Sequence, residues 1–323
     1  MKKEYILIFL LLFCINSIIY AASENPFAVM LSEDSYSFGN RLNLIEQLQV
    51  KYVRPAAISV KGWPNNDRDA ENFSARGFKL VITVRNAENN QSALPIDNIT
   101  GYKNMISQVL DEHKPALLLV EDEETSLGYY KGSPDDYLKE LQAACSVAHS
   151  KNMKCANGGL SSNLLALLVW DDYFRSGDYD KARSFLMRAC TPWQQEELTT
   201  IKGRVRIQSK IDKGKAFLDA YRNAGPDYVN FHWYIDDSQA FKEAVAFLER
   251  TTGLVAVTDE MGMIEHDLPV FKELLEAIKE LELPIVVWFS AIDPDTQALQ
   301  NADFTLNDLG YALKQFIIDN YSS

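Results

Sequence analysis

The sequence predicts a (β/α)8 barrel, an α/β fold of eight parallel strands alternating with helices, here with a helical insertion between the fifth and sixth strands. Three observations carry this expectation. Short apolar runs recur along the whole chain, and nearly all are followed by a segment whose apolar residues have helical spacing. No half of the chain is strand-only or helix-only, so the alternation describes one parallel sheet rather than two segregated layers. Runs such as Leu254–Val257 are apolar throughout instead of alternating, as strands buried on both faces are. A doubly wound open sheet is the structural alternative. The first run is not followed by Gly-x-Gly-x-x-Gly, which removes the commonest nucleotide-binding form of that alternative.

In chain order, Pro26–Leu31 is the first expected strand. Leu42, Leu44, Ile45, Leu48 and Val50 give the helical spacing of Phe38–Val50. Tyr52–Ala56 with a polar helix over Asn66–Arg76 makes the second unit, and Lys79–Val84 with a helix over Lys103–Glu112 the third. The fourth strand, Ala116–Val120, runs into Glu121-Asp122-Glu123-Glu124. Ser133-Pro134-Asp135 then starts a helix reaching Ser150, with a capping serine and proline in the first turn. Met153–Ala156, a short fifth strand, ends in Asn157-Gly158-Gly159. From there to Asp227 the repeat is interrupted, and Asn163–Arg175, Tyr179–Arg188 and Trp193–Asn223 all read as helical. Tyr228–His232, Leu254–Thr258 and Pro284–Phe289 complete the strands, followed by helices over Ser238–Thr251, Leu268–Leu281 and Asn307–Tyr321.

The first 22 residues carry Lys2 and Lys3, an apolar stretch from Ile6 to Tyr20 and small residues at Ala21, Ala22 and Ser23. That is the layout of a secretory signal peptide, so the expected organisation is a leader over 1–22 and one barrel domain over 23–323. A secreted or periplasmic product follows, with no stable membrane insertion once the leader is cut. Removing the leader takes away Lys2, Lys3 and Glu4 and moves the formal charge of −13 one unit further negative. Such a chain repels phosphate, which makes it a poor candidate for anionic membrane and gives the expectation of no nucleic-acid partner. Cys145, Cys155 and Cys190 remain, an odd set that is no disulfide scaffold; Cys145–Cys155 is the pair most readily bridged, with buried free thiols the alternative.

Catalytic groups of such barrels stand at the carboxyl ends of the strands. Those ends display Arg54, then Glu121, Asp122 and Glu123, then Asn157, His232, Tyr234, Asp259, Glu260 and Trp288. Strands four and seven lie on opposed parts of a barrel, so Glu123 and Glu260 can flank one sugar. Glycoside cleavage needs that pair, one carboxylic acid to protonate the leaving oxygen and one carboxylate across the ring. Neighbouring strand residues point to opposite faces, so from the residues alone either Glu121 or Glu123 can supply the acid. Glu121–Glu124 also reads as a solvated acidic loop or a calcium site. His113, His149, His232 and His266 are scattered without a His-x-His or His-Glu-x-x-His pattern, so no transition metal and no cofactor is expected.

These strand ends resemble the clan A glycoside hydrolases, retaining (β/α)8 enzymes with catalytic glutamates on strands four and seven. The resemblance rests on Val120-Glu121-Asp122-Glu123, on Glu260-Met261-Gly262 with one extra residue before the Glu, on Phe231-His232-Trp233-Tyr234, and on Arg54 and Trp288. It implies Glu123 as acid/base and Glu260 as nucleophile, and Arg54, His232 and Tyr234 around the nucleophile. It also implies Asp122 at the sugar 2-hydroxyl in place of the usual Asn, Asn157 lining the site and Trp288 beneath the ring. The implied substrate is a β-linked oligo- or polysaccharide, cleaved by double displacement. A non-catalytic, barrel-shaped carbohydrate-binding protein of the same superfamily is the second reading, motivated by Asp122 and the altered spacing before Glu260.

Overall fold

The computed structural model describes residues 24–31, 36–61, 63, 67–88, 91–289, 291 and 298–321. The expected leader, and Ser32-Glu33-Asp34 expected at the carboxyl end of the first strand, lie outside the described residues. The strands are β1 (Phe27–Met30), β2 (Tyr52–Arg54), β3 (Ile58–Ser59), β4 (Lys79–Arg85), β5 (Leu117–Val120), β6 (Lys154–Asn157), β7 (Tyr228–Trp233), β8 (Val255–Met261) and β9 (Val286–Trp288). All pair in parallel, β1 lies between β2 and β9, and β2 closes the ring onto β4. β3 also lies on β4, beyond β2, so β2 and β3 are two segments of one barrel strand and the closed barrel has eight.

Around the wall run α1 (Phe38–Leu48), α2 (Arg68–Ser74), α3 (Ile99–His113) and α4 (Pro134–Ser150). The insertion between the fifth and sixth barrel strands holds α5 (Ser162–Arg175), α6 (Tyr179–Ala189), α7 (Pro192–Thr199) and α8 (Ile201–Ala224). The ring is completed by α9 (Ser238–Thr252), α10 (Leu268–Glu280) and α11 (Asp308–Tyr321). The expected single helix over Trp193–Asn223 is two. Thr200 is extended (φ −112°, ψ 148°), and its hydroxyl accepts the Gly203 N–H, so a β-branched residue with a capping oxygen breaks the run. Among the described residues, no helix is long and apolar enough to cross a membrane.

Two apolar layers explain the unbroken strand runs. Along β5, Leu117 and Leu119 point into the barrel with Ala28, Tyr52, Val81, Val257 and Val287. Leu118 and Val120 point outward into the larger layer beneath the helices. Both faces are dry, so neither can alternate with polar residues. Cys145 of α4 and Cys155 of β6 form a disulfide, Cα–Cα 5.4 Å, while Cys190 is buried and free, its thiol pushed up to about 12 by burial. A bridge spanning 10 residues constrains the unfolded chain by about 2–3 kcal/mol. Reduction is therefore expected to lower the unfolding free energy read from urea denaturation by that amount, with a lower midpoint, and the Cys145→Ser/Cys155→Ser variant to match the reduced protein. An unchanged midpoint would remove the bridge from the stability account.

Candidate active site

The carboxyl ends of four barrel strands bring one polar cluster together. Arg54, last residue of β2, is 2% exposed and reaches across the barrel to β8. Its Nε lies 3.0 Å from Asp259 Oδ2, and its Nη1 donates to Glu260 Oε1 at 2.9 Å. Tyr234 donates its hydroxyl to the other Glu260 oxygen at 3.0 Å. His232 sits between, with Nδ1 at 3.3 Å from Glu123 Oε1 and 3.4 Å from Glu260 Oε2, and Nε2 at 3.1 Å from Asp259 Oδ1. Only Glu123 and Glu260 of these carboxylates keep appreciable side-chain exposure alongside Asp122, at 25%, 14% and 17%. Asp259 is 1% exposed.

Adjacent residues Asp259 and Glu260 serve the same centre because β8 is irregular there. Val257 pairs with Asn230 and Glu260 with His232, so β8 spends one residue more than β7. A bulge of that kind re-aims a side chain, and it accounts for the extra residue before Glu260 noted in the sequence. Ser162, at the start of α5, holds the facing strand end: its hydroxyl donates to the His232 carbonyl and accepts the Tyr234 N–H. Gly159, at φ +120°, lets His232 pack on the turn, since a Cβ there would stand 2.2 Å from Nε2.

The electrostatics follow from burial and pairing. Burial alone would lower the Arg54 and His232 pKa values, but Asp259 and Glu260 outweigh it and raise both, His232 well above its ordinary value. The surrounding carboxylates thus favour the imidazolium form of His232. Burial alone would raise Asp259, but Arg54 and His232 hold it below the usual carboxylate range. Asp122 goes the other way: burial raises it to about 6, with Arg54 and His232 opposing and Glu260 and Asp259 adding. A folded carboxyl raised above its unfolded value binds protons more tightly, so stability falls as pH rises from the unfolded pKa near 3.8 to about 6. Asp122→Asn is expected to gain on the wild type across that window by about 1–3 kcal/mol, read from urea denaturation at pH 4 and pH 7. A constant difference between the two proteins would show that Asp122 is ordinarily charged.

The acidic run splits into separate environments. Glu121 (φ +69°) and Glu123 (φ +39°) are both left-handed, a strained backbone that turns successive side chains in unrelated directions. Glu121 is fully buried away from the cluster, accepting the Asn86 N–H at 2.5 Å beside Glu140, and its carboxyl is raised by burial and by Glu140. Of the two acids left open by the sequence, Glu123 is therefore the one beside His232 and Glu260. Glu124, also buried, binds the Tyr221 hydroxyl from α8 and the Asn157 amide, and burial pushes it up to about 8.

Two expected site residues are placed elsewhere. Asn157 is fully buried, with its Nδ2 donating to the Asn230 carbonyl at 2.9 Å and its Oδ1 accepting the Asn230 N–H at 2.7 Å. Its amide ties β6 to β7 beneath the cluster instead of lining it. Trp288 is 4% exposed and packs edge-to-face on Phe271 of α10, ring centroids 4.8 Å apart. Strand alternation explains this: Val287 points into the barrel, so Trp288 points out. Phe289, one residue on, approaches Tyr234 at 6.1 Å. Tyr129, 39% exposed, stands on the rim under Arg85 at 5.9 Å; burial and then Asp122, Glu123 and Glu260 raise its hydroxyl pKa. Asn230, not among the expected site residues, donates its amide to Asp259 at 2.5 Å; period-two spacing back from His232 is the signal that marks it. Nothing local to the sequence marks Tyr129 or Ser162.

Ligand atoms of Asp122, His232 and Glu260 lie within 4.8 Å of one another, near enough to share an ion. The donor chemistry does not suit one. A metal needs neutral imidazole, whereas the surrounding carboxylates favour the imidazolium form of His232, and Glu260 already binds the Arg54 cation.

No family model and no curated protein sequence matches the chain. Solved structures do. A GH128 (subgroup VI) exo-β-1,3-glucanase from Aureobasidium namibiae aligns at TM-score 0.54 and 10% identity, over 91% of this chain and 96% of its own. The catalytic domain of a hyperthermophilic chitinase from Pyrococcus furiosus aligns at 0.54 and 11%, over 93% and 99%. The endo-β-1,4-mannanase from Thermotoga petrophila aligns at 0.53 and 11%, over 94% and 78%. At such identities the likeness concerns the fold, and the chain has a glycoside-hydrolase-like barrel shared by several families of those enzymes.

Proposed function

We propose that this chain is an exported retaining glycoside hydrolase of the clan A kind, acting on a β-linked glycan. The observation that carries the reading is the shared approach of Glu123 and Glu260 to His232 Nδ1, at 3.3 and 3.4 Å. Those two oxygens can be no farther apart than the two distances laid end to end. That ceiling barely touches the roughly 6.5–9.5 Å of inverting enzymes and admits the roughly 5–5.5 Å of retaining ones. Glu260, fixed through both oxygens by Arg54 and Tyr234, is the nucleophile; Glu123, the most exposed carboxylate of the cluster, is the acid/base.

In the first step a Glu260 oxygen bonds to the anomeric carbon while the bond to the leaving oxygen breaks and Glu123 gives that oxygen its proton. In the second, water attacks the same carbon, Glu123 takes its proton and Glu260 is released. One glycosidic bond and one water become two hydroxyls. Asp122 faces the 2-hydroxyl in this scheme, and its raised pKa lets it donate below about pH 6 as an amide would. Export is supported by the leader pattern of residues 1–22 and by the Cys145–Cys155 bridge, which suits an oxidising compartment.

The test is release of reducing sugar or aryl alcohol from β-1,3-glucan, chitin, β-mannan and a set of aryl β-glycosides. Wild type is compared with Glu260→Gln and Glu123→Gln. The expected result is turnover lost in Glu260→Gln, and in Glu123→Gln a loss that shrinks as the leaving group becomes more acidic, since a good leaving group needs no proton. Binding of these glycans without hydrolysis of any would favour the non-catalytic reading.

A further inference from the structure

A cavity of about 470 Å³ opens beside Glu123 and Tyr234, and its other walls come largely from the helical insertion. Ser161 and Asn163 contribute from the first turn of α5, and Arg188 and Thr191 from the end of α6 and the turn into α7. Asp236 and Ile264 close it from the loops after β7 and β8. Among the described residues, its lining takes in the proposed acid but not Glu260, Arg54 or Asp122. An acid that protonates the leaving oxygen must touch it, so space that opens from the acid and not from the nucleophile lies on the leaving-group side of the bond.

The chemistry of the walls suits hydroxyls. Ser161 makes no side-chain capping bond to α5 and leaves its hydroxyl for a ligand, and the Asn163 side chain is exposed. Asp236 is held in place by the Ile264 and Glu265 N–H groups at 3.1 and 3.2 Å, and Ile264, 66% exposed, gives an apolar face. Arg188 is a wall and not a free cation: it binds Asp237 at 2.9 Å and Glu243 at 3.1 Å. With that charge cancelled, the carboxyl groups Glu123 and Asp236 leave the lining acidic, which disfavours an anionic sugar. The volume falls within the range of small-ligand pockets, about 300–1,000 Å³.

We propose that the first turn of α5 and the α6–α7 turn of the insertion form the leaving-group subsite, built to bind a neutral sugar unit. The insertion thus sets how long a chain the enzyme prefers on that side. This rests on the glycosidase reading above, and the experiment separates the two. Each β-linked tetrasaccharide of a gluco-, manno- and N-acetylglucosamine series is compared with the disaccharidyl fluoride of the same sugar, whose leaving group is a single atom that needs no subsite. Asn163→Trp is expected to fill the cavity and lower the ratio of kcat/KM, tetrasaccharide over fluoride, at least tenfold. Ile264→Trp, on the opposite wall and a different loop, is expected to lower it similarly, so misfolding of one variant does not decide the matter. A ratio unchanged in both variants, with both substrates turned over, overturns the subsite and leaves the glycosidase reading intact. Failure of the wild type on every fluoride and every tetrasaccharide overturns the glycosidase reading and the subsite with it.

Discussion

Turnover by Glu260→Gly is expected to fall about ten-thousand-fold or more, and azide is expected to restore part of it with inverted product. Glu260 occupies a defined slot, one oxygen on Arg54 at 2.9 Å and the other on Tyr234 at 3.0 Å. Removing its carboxylate leaves a cationic and hydroxyl-lined space that a small anion fits. From there azide attacks the anomeric carbon directly and gives a glycosyl azide of opposite configuration to the β-linked substrate. Glu123→Gly is expected to behave differently. Its nucleophile is intact, so with a good leaving group the glycosyl-enzyme forms, and azide enters from the acid's side to give the β-product. Opposite anomers from the two variants assign the two roles. The same anomer from both, or near-normal rates in Glu260→Gly, would sink the assignment.

Arg54→Leu is expected to destabilise the fold by about 3–5 kcal/mol, the usual consequence of leaving buried charges without their partner. Arg54 and Asp259 are 2% and 1% exposed, and Arg54 pairs with both Asp259 and Glu260. In the wild type Asp259 is held below its ordinary pKa, so its contribution is present above pH 3.8 and is lost only as pH falls through the lower folded value. Without Arg54, burial dominates and the folded pKa rises above 3.8, so the variant loses stability as pH increases toward neutrality. Urea denaturation at pH 5 and pH 7.5 reads both effects, and Arg54→Leu/Asp259→Asn is expected to recover part of the loss. A deficit under about 1 kcal/mol, or one independent of pH, would mean that His232 alone neutralises Asp259.

Much of the site was legible because barrel geometry converts sequence position into place. An apolar run that stops on a polar residue puts that residue at the carboxyl rim, and Arg54, Glu123, His232 and Glu260 lie together there. What failed was orientation. Trp288 and Asn157 lie at the right heights, but their side chains face the helix layer and the β6–β7 seam, because strand phase is decided by packing on both sides of the wall. The bulge between Val257 and Glu260 has the same origin: the extra residue was visible, but only the pairing with Asn230 and His232 lets Asp259 and Glu260 serve one centre. The two left-handed residues at 121 and 123 likewise divide an acidic run that reads as uniform.

Composition and periodicity thus settle the eight-unit barrel, the insertion and the strand ends on which carboxylates stand. Each depends on residue type and spacing along the chain, quantities that burial on two faces constrains locally. The tertiary structure alone decides which of Glu121, Glu123 and Glu124 shares a partner with Glu260, which aromatic reaches the rim, and where Asp259 is neutralised. These depend on contacts between residues far apart in sequence, such as Arg54 with Glu260, and such contacts leave no local periodicity to read.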